Sequence, residues 1–228
     1  MRAPRKLRLV TVVQPKPAKK PKSKNSFWRE LPILLGAAIV VAILVRTFVI
    51  QTYYVPSGSM EHTLNVNDRV LVNKLAYDFR DPHRGEVIVF NSPVSWRSAP
   101  NEKVFVKRVV GVPGDHVICC DTQGRLTING VAIDESYIIK PTGEQNAAPQ
   151  TFDITVPSGR LWVMGDNRYD SADSLANYEG THGDMTASTI AIKAVIGRAF
   201  VLFWPFSRAT WLSVPSTFSK IPNASPSG

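Results

Sequence analysis

Cysteine is nearly missing from this 228-residue chain: there are two, the neighbours Cys119 and Cys120. Adjacent cysteines lack the spacing of a metal knuckle, and a bond between them needs a strained ring. A buried thiol pair and an oxidised pair, bonded to each other or across molecules, both stay open. The four histidines, His62, His83, His116 and His182, are scattered. No HExxH or CxxC pattern accompanies them, so neither a metal nor another cofactor is expected. A GxSxG elbow, a glycine-rich phosphate loop and internal repeats are missing too. So is net charge beyond residue 30: residues 31–228 hold seventeen Lys/Arg and seventeen Asp/Glu. The overall +9 belongs to residues 1–30, with ten cations and Glu30. A folded part without charge bias is not expected to bind nucleic acid.

What the chain does have begins with that basic tail. From Pro15 to Ser26 it is Lys/Pro/Ser-rich without apolar period, and residues 1–30 are expected to be disordered. Residues 31–50 follow as the one long apolar run, interrupted by Pro32 and Arg46. About 20 apolar residues span a bilayer core, and the apolar residues surround the helix without forming a stripe, unlike a buried core helix. Arg46, near the distal end, can snorkel to the interface. A cleavable leader needs small residues after the run; Gln51, Thr52, Tyr53 and Tyr54 stand there instead, and the two tyrosines suit a membrane–water boundary. A retained single-pass anchor is expected, with the N-terminus cytoplasmic and the rest outside, because ten cations precede it.

The remainder reads as short strands. Val70–Val72, Glu86–Phe90, Val104–Val112, Val117–Cys120, Leu126–Ile128 and Leu161–Met164 are rich in β-branched residues. Turn formers such as Pro113-Gly114-Asp115, Asn129-Gly130 and Ser158-Gly159 separate them. Asn129-Gly130 between two apolar runs signals a hairpin. A mainly β, antiparallel fold is expected over residues 51–213, with a smaller β insertion at about 117–157 and a short helix within Ser171–Gly180. Val195 to Phe206 reads as a last strand plus an apolar patch, its aromatic end either interfacial or core. Residues 214–228 are Ser/Pro-rich and expected to be loose.

Two segments carry possible chemistry. Pro56-Ser57-Gly58-Ser59-Met60 is a Ser/Gly turn just beyond the anchor. At about 3.3 Å per extended residue, the nine residues from Ile50 to Ser59 reach at most about 30 Å, which keeps Ser59 near the bilayer. In Val104–Asp115, strand alternation puts Lys107 on a face with Phe105 and Val109, and Arg108 on a face with Val106 and Val110. Either both cations snorkel at a sheet edge or one lies in an apolar setting. In the second case desolvation lowers the lysine pKa, and a neutral amine can activate a serine hydroxyl.

These segments resemble the bacterial type I signal peptidases, membrane serine proteases with a Ser-Lys dyad. Four boxes run in order: Pro56–Met60, Asn67–Lys74, Lys107–Asp115, and Met164-Gly-Asp-Asn-Arg168 with Ser171-Ala-Asp173-Ser174. The resemblance implies Ser59 as nucleophile, Lys107 as general base, and the Ser59 N–H with the Ser57 hydroxyl as oxyanion hole. It also implies Ser171 hydrogen-bonded to the lysine amine, an Arg108–Asp166 ion pair, and Met60 packed beside the site. Asp173 belongs to the same support. The substrates implied are signal-peptide-bearing preproteins emerging from the export machinery, cut after Ala-x-Ala-like sites. Leu175 stands where relatives carry an arginine paired with the acid at Asp173, so another partner or solvent exposure is expected there. Tyr169 and Asp170 also depart from the commonest Asp-Asn. A self-cleaving repressor with Ser-Lys chemistry would be soluble, contrary to the anchor. The other reading is a catalytically inactive, membrane-tethered β binding module of the same fold. Ser59, Lys107 and Ser171 argue against it, and Leu175 keeps it open.

Overall fold

The computed structural model describes residues 25–224, so residues 1–24 of the basic tail and residues 225–228 lie outside the described residues. The chain divides into one unit up to Ala42 and a second from Ile43 onwards. α1 (Asn25–Leu44) begins within the tail expected to be disordered and ends two residues into the second unit. Twenty residues make a helix about 30 Å long, the thickness of a bilayer core. Among the described residues the one stretch long and apolar enough to cross a membrane is Glu30–Thr47, which runs three residues past α1 and is not buried.

In the second unit a single π-helical turn (Val45–Val49) leads into β1 (Ile50–Tyr54). The strands that follow are β2 (Arg69–Asn73), β3 (Val87–Asn91), β4 (Val104–Gly111), β5 (His116–Cys119), β6 (Leu126–Ile128) and β7 (Val131–Ala132). Then come β8 (Phe152–Thr155), β9 (Arg160–Met164), the helices α2 (Ser174–Gly180) and α3 (Met185–Ser188), and finally β10 (Ile190–Ala191), β11 (Val195–Trp204) and β12 (Thr210–Trp211). The larger sheet has the order β1-β2-β11-β3-β4-β9-β10, with β12 also on β11; the smaller has the order β7-β6-β5-β8. All strand pairs are antiparallel, as the turn-punctuated β-branched runs predict.

Both faces of the larger sheet are covered, which explains why its central strands read as continuous apolar runs. Val87 and Val89 of β3 pack with Val70, Val72 and Leu202. Ile88 and Phe90, the alternate residues, pack with Trp96, Val109, Leu161 and Val163. The smaller sheet builds its own core from Val117, Leu126, Ile128, Phe152 and Ile154 against Val110 and Trp162. Asn129 (φ 52°) and Gly130 (φ 78°) form the two-residue turn joining β6 to β7, the left-handed pair that a tight hairpin demands. Where β4 passes into β5, Asp115 is fully buried and held by Arg84 at 2.5 and 2.6 Å.

Two open alternatives are resolved and one expectation changes. β4 is an interior strand between β3 and β9, so Lys107 and Arg108 do not snorkel at an edge. Residues 214–224 are not loose: a 3₁₀ turn (Ser216–Lys220) brings Phe218 and then Ile221 into the core, because two apolar side chains outweigh the local Ser/Pro composition. Cys119 and Cys120 are joined to each other by a disulfide. At the end of β11, Leu202 is core while Trp204 and Phe206 are exposed.

Candidate active site

Ser59 sits in one 3₁₀ turn, Gly58–Met60, reached from β1 through Val55, Pro56 and the exposed, extended Ser57. Met60 is wholly buried among Val55, Leu64, Val70 and Val87 and fixes the turn to the sheet. The turn is closed by Glu61 N donating to Gly58 O at 2.9 Å, and Leu64 N donates to Met60 O at 2.7 Å.

Lys107 arrives from the middle of β4, opposite Ile88 on β3. Its amine lies 2.5 Å from Ser59 Oγ and 5.6 Å from the centroid of the Phe105 ring. Only 3% of the lysine and 9% of the serine are exposed. Burial pulls the lysine pKa down from 10.5 to about 8, against the opposing pull of the Asp173, Asp166 and Asp170 charges. At that value about one lysine in ten is neutral at pH 7. A neutral amine at hydrogen-bond distance can take the hydroxyl proton, which is what a serine needs to become a nucleophile.

Arg108, the next residue, forms a bidentate pair with Asp166, Nε to Oδ1 at 2.9 Å and Nη2 to Oδ2 at 2.6 Å. Its remaining Nη1 donates to Gly85 O at 2.8 Å. Thr63 Oγ1 also donates to Asp166 Oδ2. Such a buried pair is tolerable because its polar atoms are shared among several partners. Asn167 then clasps the Ser59 turn: its N–H donates to Ser59 O at 3.1 Å and its side-chain amide to Gly58 O at 3.2 Å. Nothing in the sequence singles out Thr63 or Asn167, although Asn167 lies within the last of the four boxes.

Ser171 departs from what the resemblance implies, whereas Asp173 has another partner where relatives carry an arginine. The buried Ser171 Oγ has no hydrogen-bond partner among the described residues, so the implied bond to the lysine amine is not formed. The hydroxyl rests against Gly165 instead; a Cβ there would collide with both Ser171 Oγ and Ser59 O. Asp173 is 2% exposed and takes backbone partners in place of an arginine. It caps α2, accepting from Leu175 N at 3.0 Å and Ala176 N at 3.4 Å on Oδ1, and from Gly165 N at 2.9 Å on Oδ2. The positive end of the helix supplies the compensation, and Leu175 packs into the apolar cluster around Trp162. A cleft of about 220 Å³ is lined by Ser171, Asp173, Leu175 and Glu179 among others. A larger one of about 440 Å³, lined by Arg84, Val112, Pro215 and Phe218 among others, includes no residue of this site.

Known proteins resemble this chain over most of its length. Residues 28–204 match the family described as signal peptidase, peptidase S26. A probable signal peptidase I-2 from Synechocystis is 37% identical over 202 residues, covering 89% of this chain and 85% of that protein. A probable signal peptidase I from Mycobacterium leprae is 36% identical, covering 88% and 83%. Signal peptidase I from Mycobacterium tuberculosis is 36% identical, covering 86% and 77%. The chain belongs to the signal peptidase family, peptidase S26, and is a serine peptidase of that family.

Proposed function

We propose that this chain is a membrane-anchored endopeptidase that removes signal peptides from exported preproteins, with Ser59 as nucleophile and Lys107 as general base. The observation that carries the reading is the 2.5 Å approach of a buried amine to the Ser59 hydroxyl. Neutral Lys107 accepts the Oγ proton as Oγ attacks the scissile carbonyl. The developing oxyanion takes hydrogen bonds from the Ser59 N–H and the Ser57 hydroxyl. The ammonium then protonates the leaving amine, which departs as the new N-terminus of the exported protein. Water, deprotonated by the same amine, hydrolyses the Ser59 ester and frees the signal peptide. Cleavage after Ala-x-Ala follows from the family resemblance.

The unburied apolar stretch Glu30–Thr47 acts as the anchor, ending before Ile50 joins the sheet as the first residue of β1. Residues 51–213 form the catalytic part on the extracytoplasmic side, and residues 1–30, with ten cations, stay cytoplasmic. Purified full-length protein in detergent is expected to cleave a preprotein after an Ala-x-Ala site, and Ser59→Ala to abolish this. Undiminished cleavage by Ser59→Ala would refute the mechanism.

A further inference from the structure

The segment that leaves the smaller sheet after β7, residues 133–140, reaches into the support of the nucleophile turn. Ile133 fixes its start, its N–H donating to Leu126 O at 2.9 Å. At its other end Ile139 N donates to Asp166 O at 2.8 Å, and Ile139 pairs with Asn167 as an isolated parallel bridge. Between them Glu135 forms a bidentate pair with Arg168, one arm at 2.8 Å, with both side chains almost wholly buried. Tyr137 donates its hydroxyl to Glu135 Oε1 at 2.6 Å and lays its ring over Arg108, 4.1 Å from guanidinium carbon to ring centroid.

These contacts converge. The edges of the Arg108 guanidinium are taken by Asp166 and Gly85, and Tyr137 covers a face. A planar cation held at its edges and stacked on an aromatic ring has little freedom left. Asp166 is fixed in turn by Arg108 through its side chain and by Ile139 through its carbonyl. The next residue, Asn167, grips Gly58 and Ser59. We infer that Tyr137, which is held by Glu135 and lies outside every recognisable catalytic segment, is a positioning residue through which the smaller sheet sets Ser59 against Lys107. This rests on the Ser59–Lys107 reading above.

The test is steady-state cleavage of a preprotein by full-length enzyme in detergent, with kcat and KM measured separately. Tyr137→Leu removes the ring face; a small misplacement of reacting groups lowers turnover without weakening binding, so kcat is expected to fall about tenfold or more with KM within about twofold. Tyr137→Phe keeps the ring over Arg108 and is expected to restore kcat to within about threefold of wild type, losing only the bond to Glu135. Phe152→Leu removes a core ring of the smaller sheet that packs on Trp162, at 5.3 Å between centroids. It is expected to lower thermal stability and leave kcat unchanged. Tyr137→Met, which keeps apolar volume without a ring face, carries the measurement if Tyr137→Leu does not fold. Wild-type kcat in the Leu or Met variant, or an equal kcat loss in Phe152→Leu, overturns the inference while Ser59→Ala stays inactive. Activity in Ser59→Ala instead overturns the underlying reading.

Discussion

Burying a lysine amine costs free energy as long as it is charged, and Lys107 is 3% exposed. The drop from 10.5 to about 8 corresponds to a cost of about 3 kcal/mol while the charge persists. Below about pH 8 both folded and unfolded chains carry the proton, and the cost is present in full. Between about pH 8 and about pH 10.5 the folded lysine is neutral while the unfolded one is still charged, so stability rises with pH. Lys107→Met is therefore expected to be more stable than wild type at pH 7, with the difference shrinking above pH 8. Denaturant unfolding of both proteins in detergent across that range checks this; a constant difference contradicts it. Gly165 is the other decisive residue. A methyl group there meets Ser59 O, a backbone atom with little room to give, and Ser171 Oγ. Gly165→Ala is expected to lower kcat by at least tenfold, since the nucleophile turn must shift.

At the scale of elements, α2 is seven residues long and too short to hold itself together. Asp173 does that by capping it, and the same carboxylate anchors the Gly165 N–H behind Ser59. Asp173→Ala is expected to cost about 1 kcal/mol for the lost cap and more for the freed buried N–H. Its kcat should fall as Gly165 loosens, whereas Asp173→Asn, which keeps an acceptor, should retain more of both. Thermal unfolding and turnover of the two variants check this together. The sheet was legible from sequence because β-branched runs and turn residues mark it locally: Asn129-Gly130 sits where the β6–β7 hairpin turns. Ser59 and Lys107 were legible as a turn and a strand cation among apolar neighbours. The strap of Glu135 and Tyr137 was not, since a loop Glu-x-Tyr has no local signature and its value lies in contacts more than thirty residues away with Arg168. Nor was the packing of Phe218, which depends on an apolar surface formed by distant strands.

For the whole molecule, an unburied apolar helix and a twelve-stranded body divide the work. In the proposed function the helix sets where the enzyme acts, and the body sets what it does. Full-length protein is expected to remain with membranes through high-salt and alkaline washes, while a chain beginning at Ile50 should be released to a much greater extent; equal retention of the two would remove the anchoring role from α1. Within the body, the larger sheet brings the lysine, the turn after β1 brings the serine, and the smaller sheet braces the segment between them. Activation of Ser59 by a buried, neutral Lys107 is tested most directly by the pH dependence of kcat for cleavage of an Ala-x-Ala preprotein. Turnover is expected to rise with pH as one proton leaves a group of pKa about 8 and then level off. Lys107→Arg, which keeps its charge throughout, should be inactive at every pH. A wild-type profile that stays flat from about pH 6 to about pH 10, or an active Lys107→Arg, would contradict the account.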